Sequence, residues 1–232
     1  MKHPTFYFLL FTLLLASCAP APTPAGPQSI TVMTHDSFAI SEDVIKTFEA
    51  ENNAKVSFIQ SGDAGSMLNQ ATLTKGASIA DVIFGVDNTF LSRALEADIF
   101  EAYQSPELTN IADEFKLDPS NRALPVDYGD VCINYDKAYF TENNLAVPQS
   151  FEDLAKPEYK DLLVMENPAT SSPGLAFLLA TRAHFGDRYL DYWKNLKDNG
   201  VVVVDGWETA YYTNFSASSG KGPQPMDAEK LV

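Results

Sequence analysis

Residues 167–186, NPATSSPGLAFLLATRAHFG, place two adjacent hydroxyls, Ser171 and Ser172, immediately before Pro173 and an apolar helical run. Ser is favoured at a helix N-cap and Pro in the first turn, so the spacing predicts a helix start here. Leu175, Leu178 and Leu179 would share one face, with Ala183 continuing it. The first backbone N–H groups of a helix lack intrahelical partners, and with two hydroxyls they make a seat for an anionic or hydrogen-bonding group. A capped core helix accounts for the same residues without a ligand. Asp36, Asp63 and Asp87 each stand where a β-patterned run gives way to a loop. Carboxylates in those places suit a cationic ligand, and equally serve as helix caps. Trp207, just after a four-valine run, fits a pocket wall or a packed core.

Covalent and metal chemistry find little to work with. There is no G-x-S-x-G elbow, and beyond the leader only His35 and His184 remain, too few for a triad or a metal cluster. Ser219-Gly220-Lys221 has part of a phosphate loop, but Phe215 stands where its first Gly belongs and Gly222 where Ser or Thr belongs. Neither an enzyme nor a cofactor or metal site is expected. A net charge of −15 argues against nucleic acid as a partner.

The elements that must position these residues follow from hydrophobic pattern. Residues 29–35 read as a strand, 41–43 as an acidic helix start with Val44, Ile45 and Phe48 on one face, and 55–60 as a second strand. A helix from 67 to about 73 follows, then a buried strand at 80–85 and a helix carrying Phe90, Leu91, Ala94 and Leu95. This βαβαβα order predicts an α/β fold with a mainly parallel sheet, whose ligands sit beyond the carboxyl ends of the strands. Residues 101–122 are loop-like. Residues 123–135, ALPVDYGDVCINY, read as a long extended segment able to cross between lobes. A short helix is expected within 148–159, strands at 162–165 and 201–204, and helices at 189–197 and from about Glu208, giving a second α/β region.

The chain opens with Lys2 and an apolar run too short to span a bilayer, which predicts a signal peptide over residues 1–17. Leu15-Ala16-Ser17-Cys18 is similar to a lipobox, in which Cys18 takes up lipid and becomes the new N-terminus. Residues 18–28 then form a semi-rigid Pro/Ala tether. Only Cys132 remains, so no intrachain disulfide framework is available.

Several motifs together resemble one group: THDSF (34–38), GDAGSMLN (62–69), ADVIFGVDN (80–88), PVDYGDVCINYD (125–136), NPATSSPGLAFLLAT (167–181) and DGWETAYY (205–212). The chain resembles the thiamine-binding substrate-binding proteins of ATP-driven (ABC) importers, in the iron/thiamine/polyamine branch of type II periplasmic binding proteins. The resemblance implies a two-lobe fold, with lobe 1 at 29–124, a hinge crossover at 125–131 and lobe 2 at 132–232. It implies a non-enzymatic, monomeric, lipid-anchored extracytoplasmic protein that captures thiamine or a thiamine phosphate between its lobes and delivers it to permease subunits. The ligand contacts it implies are His35, stacking on the thiazolium, Asp63 and Ala64 in the acidic loop, Ser171 and Ser172 at the helix start, and Trp207 as an aromatic wall. A ferric-ion or polyamine binder of the same branch is one alternative, and a non-transporting surface lipoprotein another. Relatives continue past the Trp helix with a strand ending in a Tyr-x-x-Ser-Pro type motif, whereas this chain stops at Val232. The expectation is therefore a C-terminally truncated product whose fold lacks a strand and a ligand wall.

Overall fold

A computed structural model of the protein describes residues 26–219 and 228–232. The expected signal peptide, the lipidated Cys18 and most of the tether lie outside the described residues. Contacts divide the described residues into two compact units, one with residues 26–30 and 41–56, the other with 31–40, 57–219 and 228–232.

The described part of the first unit centres on helix α1, Glu42–Asn52, between the opening residues of strands β1, Gln28–Thr34, and β2, Ala54–Gln60. Glu42 and Asp43 lie in the first turn of α1, where the helix dipole favours negative charge. Asn53 ends the helix in the left-handed conformation at φ 47°, a geometry Asn tolerates well. The Glu49 carboxylate accepts from Val56 N at 2.9 Å and Lys55 Nζ at 2.8 Å, tying helix to strand. The expected apolar face is formed but uncovered: no residue of α1 is buried, and Val44 is 55% exposed.

In the second unit β1 runs on beside β3, Val82–Phe84, in parallel, with Val32, Met33 and Thr34 opposite Val82, Ile83 and Phe84. The strand order is β2-β1-β3. Helix α2, Ala64–Leu73, packs Met67 and Ala71 on Met33, and Ala64 and Leu68 on Phe90 and on Ala94 of helix α3, Leu91–Glu96. Placing a helix between successive parallel strands is what βαβ connection requires. The start of α2 at Ala64, three residues before the expected Met67, is set by Asp63, whose carboxylate accepts from Ala64 N.

Residues 123–134 form no ladder, and Val126 and Tyr128 are 74% and 79% exposed. This is the extended segment that the sequence reading expects, and Pro125 lacks the N–H to donate to a neighbouring strand. Helices α4, Lys137–Glu142, and α5, Phe151–Leu154, follow, each capped by the side chain before it, Asp136 and Ser150. Sequence pattern assigns α5 but not α4.

The second sheet pairs β4, Val164–Glu166, with β5, Val202–Val204, in parallel. Between the two strands come α6, Ser172–Phe185, and α7, Tyr189–Asp198; α8, Trp207–Thr209, follows β5 and runs into a π-helical turn, Ala210–Asn214. Leu179 is 50% exposed rather than packed, while Gly174 and Thr181 are the buried residues of α6. The expected leucine face is therefore divided, with Leu175 packed beside Ala64, Leu68, Phe90 and Ala94 and with Leu179 and Ala183 exposed, and Trp193 Nε1 donates to the buried Thr181 Oγ1 at 2.9 Å.

Residues 228–232, to which the sequence reading assigns no element, join this second region. Leu231 bridges Leu163 on one side and Tyr135 on the other, and Asn134 and Val232 exchange backbone hydrogen bonds at 2.7 and 3.1 Å. Leu231 is fully buried among Phe140, Leu154, Tyr159, Leu163, Tyr192 and Leu196. Leu231→Ala is expected to lower unfolding stability by about 2–5 kcal/mol, as for other buried Leu truncations, read as a reduced urea midpoint at unchanged slope.

Glu166 ends β4 at 7% exposure. Burial pushes its carboxyl above the usual range, its own backbone N–H opposes this, and the charge of Asp63 adds to the rise. A carboxyl raised in the folded state contributes stability below its unfolded pKa and loses it as pH rises. Glu166→Gln is therefore expected to match the wild type in stability near pH 4 and to exceed it increasingly towards pH 7, measured by denaturant unfolding across that range.

Candidate functional site

The carboxyl ends of both sheets supply the residues singled out in the sequence. Asp63 follows β2 and caps α2, with Oδ1 accepting from Ala64 N at 2.6 Å. Its Oδ2 accepts from Trp207 N at 2.9 Å, a bond between residues 144 apart in sequence. Gly206, just before that indole, allows the approach: a Cβ there would lie 3.1 Å from Asp63 Cβ and 3.2 Å from its Oδ2.

A second junction lies one turn away. Gly65 N and Ser66 N donate to Thr170 O at 2.8 and 3.3 Å, and Thr170 Oγ1 donates to Asp205 O at 2.7 Å. The loops after β2, β4 and β5 are thereby drawn together, which brings Asp63, Ala64, Ser171, Ser172 and Trp207 into one neighbourhood. Ser171 is the N-cap of α6 as expected, yet its side chain makes no capping bond. Its Oγ and that of Ser172 are buried without a hydrogen-bond partner, although Ser171 as a residue is 0% exposed. Buried hydroxyls are ordinarily paired, so two adjacent orphans at a helix start need a reason, and a ligand's polar group is one. Thr34 Oγ1 and Ser61 Oγ, at the ends of β1 and β2, are orphaned in the same way.

The indole of Trp207 stacks on Tyr211 with centroids 4.7 Å apart and planes 8° from parallel, and Tyr212 meets it edge-on at 5.2 Å. This is a held aromatic wall. His35 stands apart from it. Its ring lies against Phe84, at 5.9 Å between centroids, and against Gly85, while its neighbours Thr34 and Asp36 bond to Ser61 and Gly62. It shares the strand-end edge with Asp63, but none of the described contacts joins it to Trp207 or the serines. Asp36 and Asp87 take the structural option. Asp36 Oδ1 accepts from Gly62 N at 2.9 Å, and Asp87 Oδ1 accepts from Thr89 and Phe90 at the turn before α3.

Pattern reading missed Gly65, Thr170, Glu166 and the Thr34–Ser61 pair of hydroxyls. A glycine beside a helix cap signals close approach, but no sequence signal shows which carbonyl arrives. Chemically the neighbourhood offers a carboxylate at Asp63, an aromatic wall, and hydroxyls lacking partners. That combination suits a cationic ring bearing a polar arm. Among the described residues no group of three or more His, Cys, Asp or Glu side chains is arranged to hold a metal ion.

The family model of bacterial extracellular solute-binding proteins matches residues 77–213. The chain is 34% identical over 203 residues to a thiamine-binding periplasmic protein of Salmonella typhimurium, covering 85% of this chain and 59% of that one. Among solved structures it is similar to a periplasmic thiamin binding protein, with TM-score 0.65, 29% identity, and 84% and 60% of the two chains covered. The periplasmic binding protein P5PA shares the fold at TM-score 0.68 and 19% identity, over 88% and 62%. The chain thus spans about 60% of the length of such relatives. With a parallel α/β architecture shared with periplasmic binding proteins and a family match over more than half its residues, the chain belongs to the bacterial extracellular solute-binding proteins.

Proposed function

We propose that this chain is the solute-binding component of an ABC importer, taking up thiamine or a thiamine phosphate and passing it unchanged to membrane permease subunits. The observation that carries this reading is the pair of buried, partnerless hydroxyls on Ser171 and Ser172, in the neighbourhood of Asp63 and Trp207. Thiamine bears a permanent positive charge on an aromatic ring, so a carboxylate and an indole face attract it. Each cation–π contact contributes about 0.5–2 kcal/mol. Its hydroxyethyl arm, or a phosphate on it, would pair with the two serine hydroxyls at the start of α6. His35 and Ala64 are the further contacts assigned, His35 by stacking from the β1 end and Ala64 by packing beside Asp63.

In this reading residues 29–124 and 132–232 act as two lobes about a hinge at 125–131, and closure traps the ligand. Cys18 carries the lipid that anchors the monomer on the outer side of the cell membrane. The names carried by similar proteins support thiamine over other solutes.

Calorimetric titration with thiamine is expected to give one saturable site on the purified chain, and thiamine recovered afterwards is expected to be chemically unchanged. Binding of ferric ion or spermidine with no response to thiamine would overturn the assignment. Replacing Ser171 and Ser172 together by Ala should weaken binding about tenfold or more while leaving ligand-free stability equal or higher, because it removes buried hydroxyls that have no partner. Asp63→Asn is expected to cost about 1.5–3 kcal/mol of binding, the range for a hydrogen bond to a charged group, measured by the same titration.

A further inference from the structure

The first turn of α2 is fully engaged without any ligand. Ala64 N donates to Asp63 Oδ1, Gly65 N and Ser66 N to Thr170 O, and Met67 N to Asp63 O at 2.9 Å. The three N–H groups of Ala64, Gly65 and Ser66, which the helix start leaves without intrahelical acceptors, therefore have protein acceptors, and Met67 N makes the first intrahelical bond. The start of α6 is the opposite case, with two side-chain hydroxyls held in reserve. Two helix starts meet here, and only one can receive a ligand.

We propose that Gly65 is a positioning residue for ligand capture: its lack of a side chain lets the α2 turn clasp the Thr170 carbonyl, which sets where Ser171 and Ser172 stand relative to Asp63 and Trp207. A Cβ at position 65 would lie 2.7 Å from Phe90 Cζ, 2.8 Å from Ala169 O and 2.9 Å from Thr170 C. Two of those atoms are backbone and cannot rotate away, and Phe90 is 2% exposed in the packed core. Any side chain at 65 must therefore push Thr170 outward. Thr170 precedes the α6 cap directly and is fixed from behind by its bonds to Asn167 O and Asp205 O. A shift there carries both serines with it. The clasp closes the same junction as the Trp207–Asp63 bond but uses no ligand atom, so the loop geometry is present before capture and the ligand need not supply it.

This inference rests on the thiamine-class reading of the site, and the test separates the two. Gly65→Ala is compared with the wild type by thiamine titration, by rapid-mixing kinetics followed through tryptophan fluorescence, and by amide hydrogen exchange of the ligand-free chain. The Gly65 amide is expected to be protected in the wild type. Gly65→Ala should bind thiamine about tenfold more weakly, through faster dissociation with little change in association, as expected when about two hydrogen bonds are lost. Equal dissociation rates for variant and wild type would overturn the positioning role, and so would an unprotected Gly65 amide in the wild type, a result that needs no folded variant. A wild-type chain that ignores thiamine yet protects the Gly65 amide would instead sink the ligand assignment and leave the clasp standing.

Discussion

The carboxylate of Asp63 accepts from the N-terminus of its own helix with one oxygen and from Trp207, 144 residues on, with the other. A charged acceptor with two backbone donors is a strong bridge, roughly twice a neutral hydrogen bond for each contact. Most of the site follows from it. The bond fixes the backbone at Trp207, a Cβ at Gly206 would crowd Asp63 at 3.1 Å, and Tyr211 stacks on an indole whose backbone is already held. Burial raises the pKa of Glu166 at the end of β4, and the charge of Asp63 adds to that rise.

The Thr170 carbonyl is the complementary hub. It receives two N–H donors from α2 and sits one residue before the α6 cap. Neutralising a helix start with a carbonyl from a distant loop fixes the loop and removes the competing anion site at once. At the α6 start the side-chain hydroxyls of Ser171 and Ser172 have no hydrogen-bond partner in the protein, a cost in stability that the α2 start does not carry.

Much of this was legible in residue order. The strand–helix alternation of residues 28–96 and 164–204 is local, driven by hydrophobic period, and the structure reproduces it to within a few residues. Asp63, Ser171 and Trp207 were readable because strand ends and helix caps carry side-chain preferences. What sequence could not show was long-range. Nothing in Gly65 names Thr170 as its partner, and nothing in the terminal Leu231-Val232 reveals that these residues insert beside Leu163 and Tyr135. Residues 123–134 read as an extended segment, and they run without a ladder until Asn134 meets Val232. On α6 the expected leucine face divides: Leu175 packs inward, Leu179 is exposed, and Thr181, a polar residue, is buried by accepting a hydrogen bond from Trp193.

Helix α1 carries Val44 and Phe48 outward on a chain whose net charge is −15. Those two properties act on solution behaviour in opposite directions. Like charge keeps copies apart over about one Debye length, ~8 Å at physiological ionic strength and ~3 Å at 1 M. An apolar helix face attracts its like at contact, and that attraction does not fade with added salt. Added salt therefore weakens the repulsion between copies and leaves the attraction of exposed apolar residues such as Val44 and Phe48 unscreened.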